Sequence, residues 1–307
     1  MHDWSPERVA EAAGARLAGR GPASDGPRRA VVDSREAGPG DLFVGLAGEN
    51  VDGGRFASAA LDAGVWGVLV SPEHAGADGT VLVADDPLAS LQRLATAWRR
   101  ALGAKVIGIT GSTGKTSTKD LLAGMLRPHR RTIATPQNWN TEIGLPLTVL
   151  GAPADTEVLV LEMAMRGAGQ IAELTRIAEP DVGVITNVGP VHLELLGSLE
   201  AIRETKLELV RGLRPGGVAI VPAELAEHVP GAVVPDGDLG DVEIPFDSAH
   251  MRRNAALALA AAMRGDHAVP DAAAATTLVA EVVRPGDTVL VKASRGVGLE
   301  AVAEALV

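Results

Sequence analysis

"VIGITGSTGKTSTKDLL", residues 106–122, joins an apolar run to a helical pattern through a tight loop of Gly, Ser and Thr that ends in Gly-Lys-Thr. Where a strand feeds a helix start, unpaired backbone N–H groups and the positive end of the helix dipole favour an anion, phosphate above all. The spacing is unusual. A general phosphate loop puts four residues between its first Gly and Gly-Lys, whereas two separate Gly111 from Gly114, and Gly108 lies one residue too far upstream to restore the count. In the phosphate reading, Gly111, Ser112, Thr113, Gly114, Lys115, Thr116 and Ser117 surround the phosphates of a nucleotide. Lys115 then reaches the β and γ phosphates and the Thr116 hydroxyl ligates Mg²⁺. The bland alternative is a Gly-rich strand-to-helix turn capped by Ser112 or Thr113.

Around this loop the chain reads as α/β. From Lys105 onward the apolar strands "KVIGIT", "RTIAT", "EVLVLEM", "DVGVITNV" and "GVAIVP" alternate with helical stretches at βαβ spacing. Continuous apolar strands of this kind predict a mostly parallel sheet covered on both faces. In such sheets ligands lie beyond the carboxyl ends of the strands, so the residues that close each strand are the ones to search. Upstream, "AVVDSR", "DLFVGL", "GVLV" and "TVLVAD" predict a smaller α/β module, with helical patterns over "GGRFASAALDAG" and "DPLASLQRLATAWRRAL". Downstream, "DTVLVKASRGVGLEAVAEALV" reads as a strand, a loop and a helix. The predicted division is 1–102, 103–264 and 265–307.

Composition narrows the class. The 307 residues are 46% apolar, enough for ordinary buried cores, and carry a net charge of −11 with scattered Lys and Arg. A nucleic-acid binder needs a basic stripe, which is missing. There is no cysteine, so disulfides, thiolate zinc sites and cysteine nucleophiles are excluded together. No stretch reads as a signal peptide or reaches membrane-spanning length, and a cytoplasmic protein is expected.

Several polar residues stand out against the apolar pattern. Glu162 closes the strand "EVLVL", where a carboxylate either helps to hold Mg²⁺ or bonds the next helix N-terminus. His192 lies just past "DVGVITNV", and a lone loop histidine is often structural. Asn187, at the same strand end, is a hydrogen-bonding group without an assigned partner. In "SLEAIRETKLELVRGL" the positions Leu199, Ile202, Lys206, Leu209 and Leu213 step by three and four, so Lys206 sits inside an apolar helix stripe. An unpaired ammonium there is costly: it snorkels outward, finds an anion or is chemically changed. His250 and Asn254 are four apart and share a face near the start of an Ala-rich helix.

The short loop, together with "NWNTEIGLPLTVL", "LEMAMRGAGQI", "TNVGPVHLELLGS" and "ETKLELV", resembles the Mur ligases of cell-wall precursor synthesis. Among them it is most similar to those that join D-alanyl-D-alanine to a UDP-N-acetylmuramoyl tripeptide. The similarity runs from about Asp33 to about Ala262 and returns at the C-terminus. It implies ATP as the second substrate and two Mg²⁺ sites drawn from Thr116, Glu162, His192 and Lys206, with Lys206 carbamylated. Lys115, His192 and Lys206 are then catalytic. The resemblance also implies adenine contacts at His250 and Asn254, with Asn254 the better candidate for reading the base edge. Substrate contacts are implied at Ser34, Arg35, Asn138, Asn140, Thr141 and Glu142. Asp52, Gly53 and Gly54 stand where the family often has Asp-Gly-His. A monomer is expected, with no nucleic-acid partner.

One feature departs from these ligases. They carry a complete Rossmann-like third domain, with an Asp-x-Tyr-Asn-Ala-Asn-Pro segment, and this sequence has no tyrosine. "VRPGDTVLVKASRGVGLE" nevertheless resembles the end of that domain, with Lys292, Ser294 and Arg295, so an internal loss is expected there. A second shortening is expected near "VPDGDLGDVEIPFDS". Three function classes follow: an ATP-dependent amide ligase, a P-loop kinase or NTPase, and a non-catalytic nucleotide or UDP-sugar binding protein.

Overall fold

The computed structural model describes residues 1–22, 25–48, 51–191, 193–236 and 249–266. Residues 1–265 form one unit built on two five-stranded sheets. Lys292, Ser294 and Arg295, the stretch 237–248 and the C-terminal strand–loop–helix pattern lie outside the described residues.

The first sheet has the order β1-β5-β4-β3-β2, from β1 (Arg16–Gly19), β2 (Arg29–Val31), β3 (Asp41–Val44), β4 (Gly67–Val70) and β5 (Val81–Val83). Strands β2 to β5 are parallel, and β1 joins the edge antiparallel to β5. Helix α1 (Pro6–Ala13) precedes β1, and α2 (Ala57–Asp62) lies between β3 and β4. Local chemistry sets the bounds of α1: the Ser5 side chain accepts from the Arg8 N–H, Pro6 opens the helix and Gly14 closes it at φ 61°.

Helix α3 (Pro87–Leu102) follows, started by Asp86, which accepts from the Ala89 N–H, and ended at Gly103. Its buried Leu91, Leu94, Ala95 and Trp98 belong to a hydrophobic cluster that takes Leu42, Leu69 and Leu82 from the first sheet and Val106, Leu159 and Leu161 from the second. Polar contacts follow the same path. The Trp98 indole donates to the Ala152 carbonyl at 3.1 Å, and Thr96 donates to the Ile177 carbonyl at 3.1 Å. Trp4 meets the Trp98 ring edge-on, with centroids 5.4 Å apart. One apolar core therefore serves both sheets, with α3 at its centre.

The second sheet is wholly parallel in the order β10-β9-β6-β8-β7. Its strands are β6 (Lys105–Thr110), β7 (Thr132–Ala134), β8 (Val158–Glu162), β9 (Val182–Ile185) and β10 (Val218–Ile220). The connecting helices are α4 (Lys115–Leu126), α5 (Gly144–Leu150), α6 (Gln170–Ala178), α7 (Leu193–Leu196) and α8 (Leu199–Arg211), and α9 (Ala249–Asp266) follows. Each of the five predicted central strands is present. Along β6, Ile107 and Ile109 face the cluster that includes Leu122 of α4 and Leu257 of α9, while Val106 faces the α3 core.

Gly108 has a packing role. A Cβ there would meet Leu209 at 3.0 Å and Met163 at 3.1 Å, and a Cβ on its neighbour Gly183 in β9 would meet Leu213 at 3.1 Å. Two adjacent glycines thus make a flat patch on which α8 lies close to the sheet. Among the described residues, no helix is long and apolar enough to cross a membrane.

The shared core makes a prediction. Trp98→Ala should cost about 3–5 kcal/mol, and hydrogen exchange near the unfolding midpoint should show both sheets losing protection together. Loss of protection in the first sheet alone would contradict it.

Candidate active site

Strand order reverses on either side of β6, because the chain leaves it for β7 and β8 on one side and later fills β9 and β10 on the other. The carboxyl end of β6 is the switch point, where open α/β sheets bind ligands. The glycine loop leaves from there. Gly111 has φ 153°, and a Cβ on it would run into the Thr186 side chain. Gly114, at φ 81°, turns the chain into α4. The first helical bond is Thr118 N–H to the Gly114 carbonyl at 2.9 Å, so the N–H groups of Lys115, Thr116 and Ser117 have no acceptor within the helix. Gly114 is the cap residue and no side chain caps α4. Ser112 and Thr113 instead turn to the end of β9.

The Lys115 ammonium lies 2.8 Å from the Gly111 carbonyl and 3.4 Å from that of Ser112. Burial holds its pKa below the ordinary lysine value, and the Glu162 charge acts in the opposite direction. Glu162, 2% exposed, ends β8. One carboxylate oxygen accepts from the Thr116 hydroxyl at 2.9 Å and the other from the Asn140 amide at 2.8 Å. Its own N–H donates to Thr135 Oγ1 at 2.9 Å. Both hydrogen-bond partners are neutral, and the carboxylate's charge is offset through space by Lys115. Thr116 and Glu162 present hard oxygen donors on one spot, and these fit Mg²⁺. The following helix is not capped by Glu162. Glu208 of α8 takes that place, accepting from the N–H groups of Gly169 and Ala172 at 2.8 and 2.9 Å.

Lys206 does not snorkel. It is 2% exposed, between buried Ile202 and Leu209, although Leu199 at the head of the predicted stripe is exposed and Leu213 lies beyond the helix end. Removal from water, with the Lys115 charge as a second cause, lowers its pKa from 10.5 to about 7. His192 lies outside the described residues. Asn254 is buried beside the loop, so that a Cβ on Gly114 would come 2.7 Å from its amide oxygen, whereas His250 is exposed.

Asn138, Asn140, Thr141 and Glu142 line one cavity of about 450 Å³ with Arg166 from the loop after β8 and Gln170 at the start of α6. Arg35 is exposed and folds onto Asp33, its Nε 2.9 Å from Oδ1, and Ser34 is half-buried between them. The neighbouring Asp33 and Glu36 line a cavity of about 290 Å³ between β2 and the β7–α5 region, together with Trp139 and Thr148. Sequence reasoning missed Trp139 because an aromatic side chain in a loop reads as packing until its neighbours are known.

This is a phosphate-loop nucleotide fold, with an acidic residue and two lysines gathered at the switch point. Residues 109–229 match the Mur ligase middle domain. The UDP-N-acetylmuramoyl-tripeptide--D-alanyl-D-alanine ligase of Bacillus subtilis is 46% identical over 192 residues, covering 62% of this chain and 42% of the relative. The enzyme of that name from Mycobacterium tuberculosis is 40% identical over 249 residues, covering 73% and 49%. Among solved structures, MurF from Acinetobacter baumannii aligns with a TM-score of 0.76 at 27% identity, over 85% of this chain and 65% of that one. MurF ligase from Thermotoga maritima in complex with ADP aligns at 0.70 and 29%, over 88% and 69%. Residues 109–229 are thus similar to the middle domain of Mur ligases, and the chain spans about half the length of the curated relatives it matches.

The Lys206 pKa carries a sign that can be measured. Below about pH 7 the folded and unfolded chains both hold the proton and the burial penalty is complete. Above it the fold releases a proton that the unfolded chain keeps, so stability should rise with pH until the ordinary lysine range is reached. Urea midpoints at pH 6 and pH 9 in metal-free, degassed buffer should show that rise relative to Lys206→Met, and a parallel pair of profiles would refute it.

Proposed function

We propose that this protein is an ATP-dependent amide ligase of the MurF type, adding D-alanyl-D-alanine to a UDP-N-acetylmuramoyl tripeptide in peptidoglycan precursor synthesis. The observation that carries the reading is the Thr116–Glu162–Asn140 arrangement beside Lys115, in which Asn140 also lines the cavity shared with Asn138, Thr141 and Glu142. Through Asn140 it joins the phosphate loop to a cavity of about 450 Å³, which a simple NTPase does not need. Residues 1–102 take the UDP end through Ser34 and Arg35, residues 103–264 take ATP, and residues 265–307 are the remnant of a third domain. His250 and Asn254 lie on the adenine side. The setting is the cytoplasm and the protein is a monomer.

A carboxylate is anionic and resonance-stabilised, so an amine does not displace its oxygen until that oxygen becomes a leaving group. In the first step a carboxylate oxygen of the tripeptide attacks the γ-phosphorus of ATP. The bond from that phosphorus to the bridging oxygen breaks, and ADP leaves. Lys115 exchanges its loop carbonyls for the β and γ phosphate oxygens, and the Lys115, Thr116 and Ser117 N–H groups hold the same phosphates. In the second step the dipeptide amine attacks the acyl carbon, phosphate departs with the bonding pair, and the amine loses its proton. Mg²⁺ would be held by Thr116 and Glu162, with a second ion at His192 and Lys206, and would neutralise charge on the transferring phosphoryl group. A lysine with a pKa of about 7 holds much neutral amine at working pH. Neutral amine is the form that adds CO₂, which supports a carbamate at Lys206.

Phosphate release from ATP, measured with UDP-muramoyl tripeptide and with or without D-alanyl-D-alanine on protein of verified mass, tests the proposal. Release that requires both substrates, and falls by about 10²-fold or more in Lys115→Ala, is the expected result. Release indifferent to both marks an NTPase, and nucleotide binding without turnover marks a binding protein.

A further inference from the structure

The phosphate loop has two fastenings of different kinds. Its second half, Gly114 to Ser117, is the start of α4. Its first half is tied to the end of β9. The Asn187 amide oxygen accepts from the N–H groups of Ser112 at 3.1 Å and Thr113 at 2.9 Å, and its amide nitrogen donates to the Thr113 hydroxyl at 2.6 Å. Next to it, Thr186 Oγ1 donates to the Thr113 carbonyl at 2.6 Å, and Ser112 Oγ exchanges two hydrogen bonds with Gly189. The Asn187 carbonyl also accepts from Ser112 N–H, at 3.1 Å.

A loop with four residues before Gly-Lys is long enough to curl its own N–H groups around a phosphate. One with two residues there is not, and its shape must be imposed from outside. We infer that Asn187 is the positioning residue of this loop: its side-chain amide replaces the missing loop residues, consuming the Ser112 and Thr113 N–H groups and leaving the phosphates to Lys115, Thr116 and Ser117. Asn187 acts through the loop and touches no substrate. The inference rests on the nucleotide reading given above and assigns one determinant of it.

The experiment is ADP binding by titration calorimetry, beside the melting temperature of the nucleotide-free protein. Asn187→Ala removes both side-chain acceptor contacts, leaving Ser112 N–H only the backbone carbonyl of residue 187, and should weaken ADP about ten-fold, while the nucleotide-free melting temperature stays close to that of the parent. Thr113→Val keeps the Asn187 acceptor and removes the hydroxyl, and should weaken ADP about two- to five-fold. In the double variant the two effects should fall short of additive, because they belong to one contact. Parent protein that fails to bind ADP would defeat the nucleotide reading itself. Parent protein that binds, with Asn187→Ala within two-fold of it, would overturn the role of Asn187 alone. Should Asn187→Ala not fold, Thr113→Val decides: unchanged ADP affinity in that variant overturns the inference, and the expected weakening supports it.

Discussion

The burial of β6 on both faces is the constraint from which the site follows. A central parallel strand covered on both sides delivers its carboxyl end to a place that no helix crosses, since the connections diverge there. The register then fixes what surrounds it. Ile109 pairs with Glu162 across β8, and Thr110 pairs with Ile185 across β9, so the Glu162 carboxylate and the Thr186–Asn187 turn arrive at one level. A strand slip of one residue would send Glu162 to the other face. The apolar side chains below thus set the position of the polar groups above.

Electrostatics at that level are unusual for a protein of net charge −11. Lys115 and Lys206 are both held below the ordinary lysine pKa, each mainly by burial, and Glu162 is buried among neutral partners. Gathered this way, the groups are poorly solvated, and the attraction between Lys115 and Glu162 only partly offsets the cost of burial. Gly108 and Gly183 are part of the cause. They let α8 approach the sheet closely, and that approach withdraws Lys206 from water.

Much of this was legible in the sequence. The five central strands were, because buried parallel strands are continuous apolar runs, and so was the buried lysine, because α8 keeps a helical period around it. The partners of Asn187 were not: a bond between residues 112 and 187 has no trace in local pattern. Strand β1 was hidden for another reason. It is a four-residue edge with alternate residues exposed, and its "RLAG" carries no β signature. Glu208 reads as an outward helical charge two residues from Lys206, and only the fold brings α6 beneath it. Gly108, read as a failed loop residue, is explained by a helix a hundred residues away. The short spacing of the loop was visible, but its structural consequence needed the end of β9.

The two sheets share a core, and that bears on where motion can occur. Helix α3 gives its apolar face to both sheets, and its polar side chains reach past the core as well: Gln92 donates to Glu173 at 2.8 Å, and Arg99 to the carbonyls of Ala178 and Glu179 at 2.9 and 2.7 Å. Moving the sheets apart would expose Leu91, Leu94 and Trp98 at once and break these bonds, a cost well beyond the few kcal/mol that separate functional conformers. The cavity between β2 and the β7–α5 region is therefore formed before a ligand arrives. The separation of the Asp33 loop from the phosphate loop is thereby fixed by the packing of α3 against both sheets.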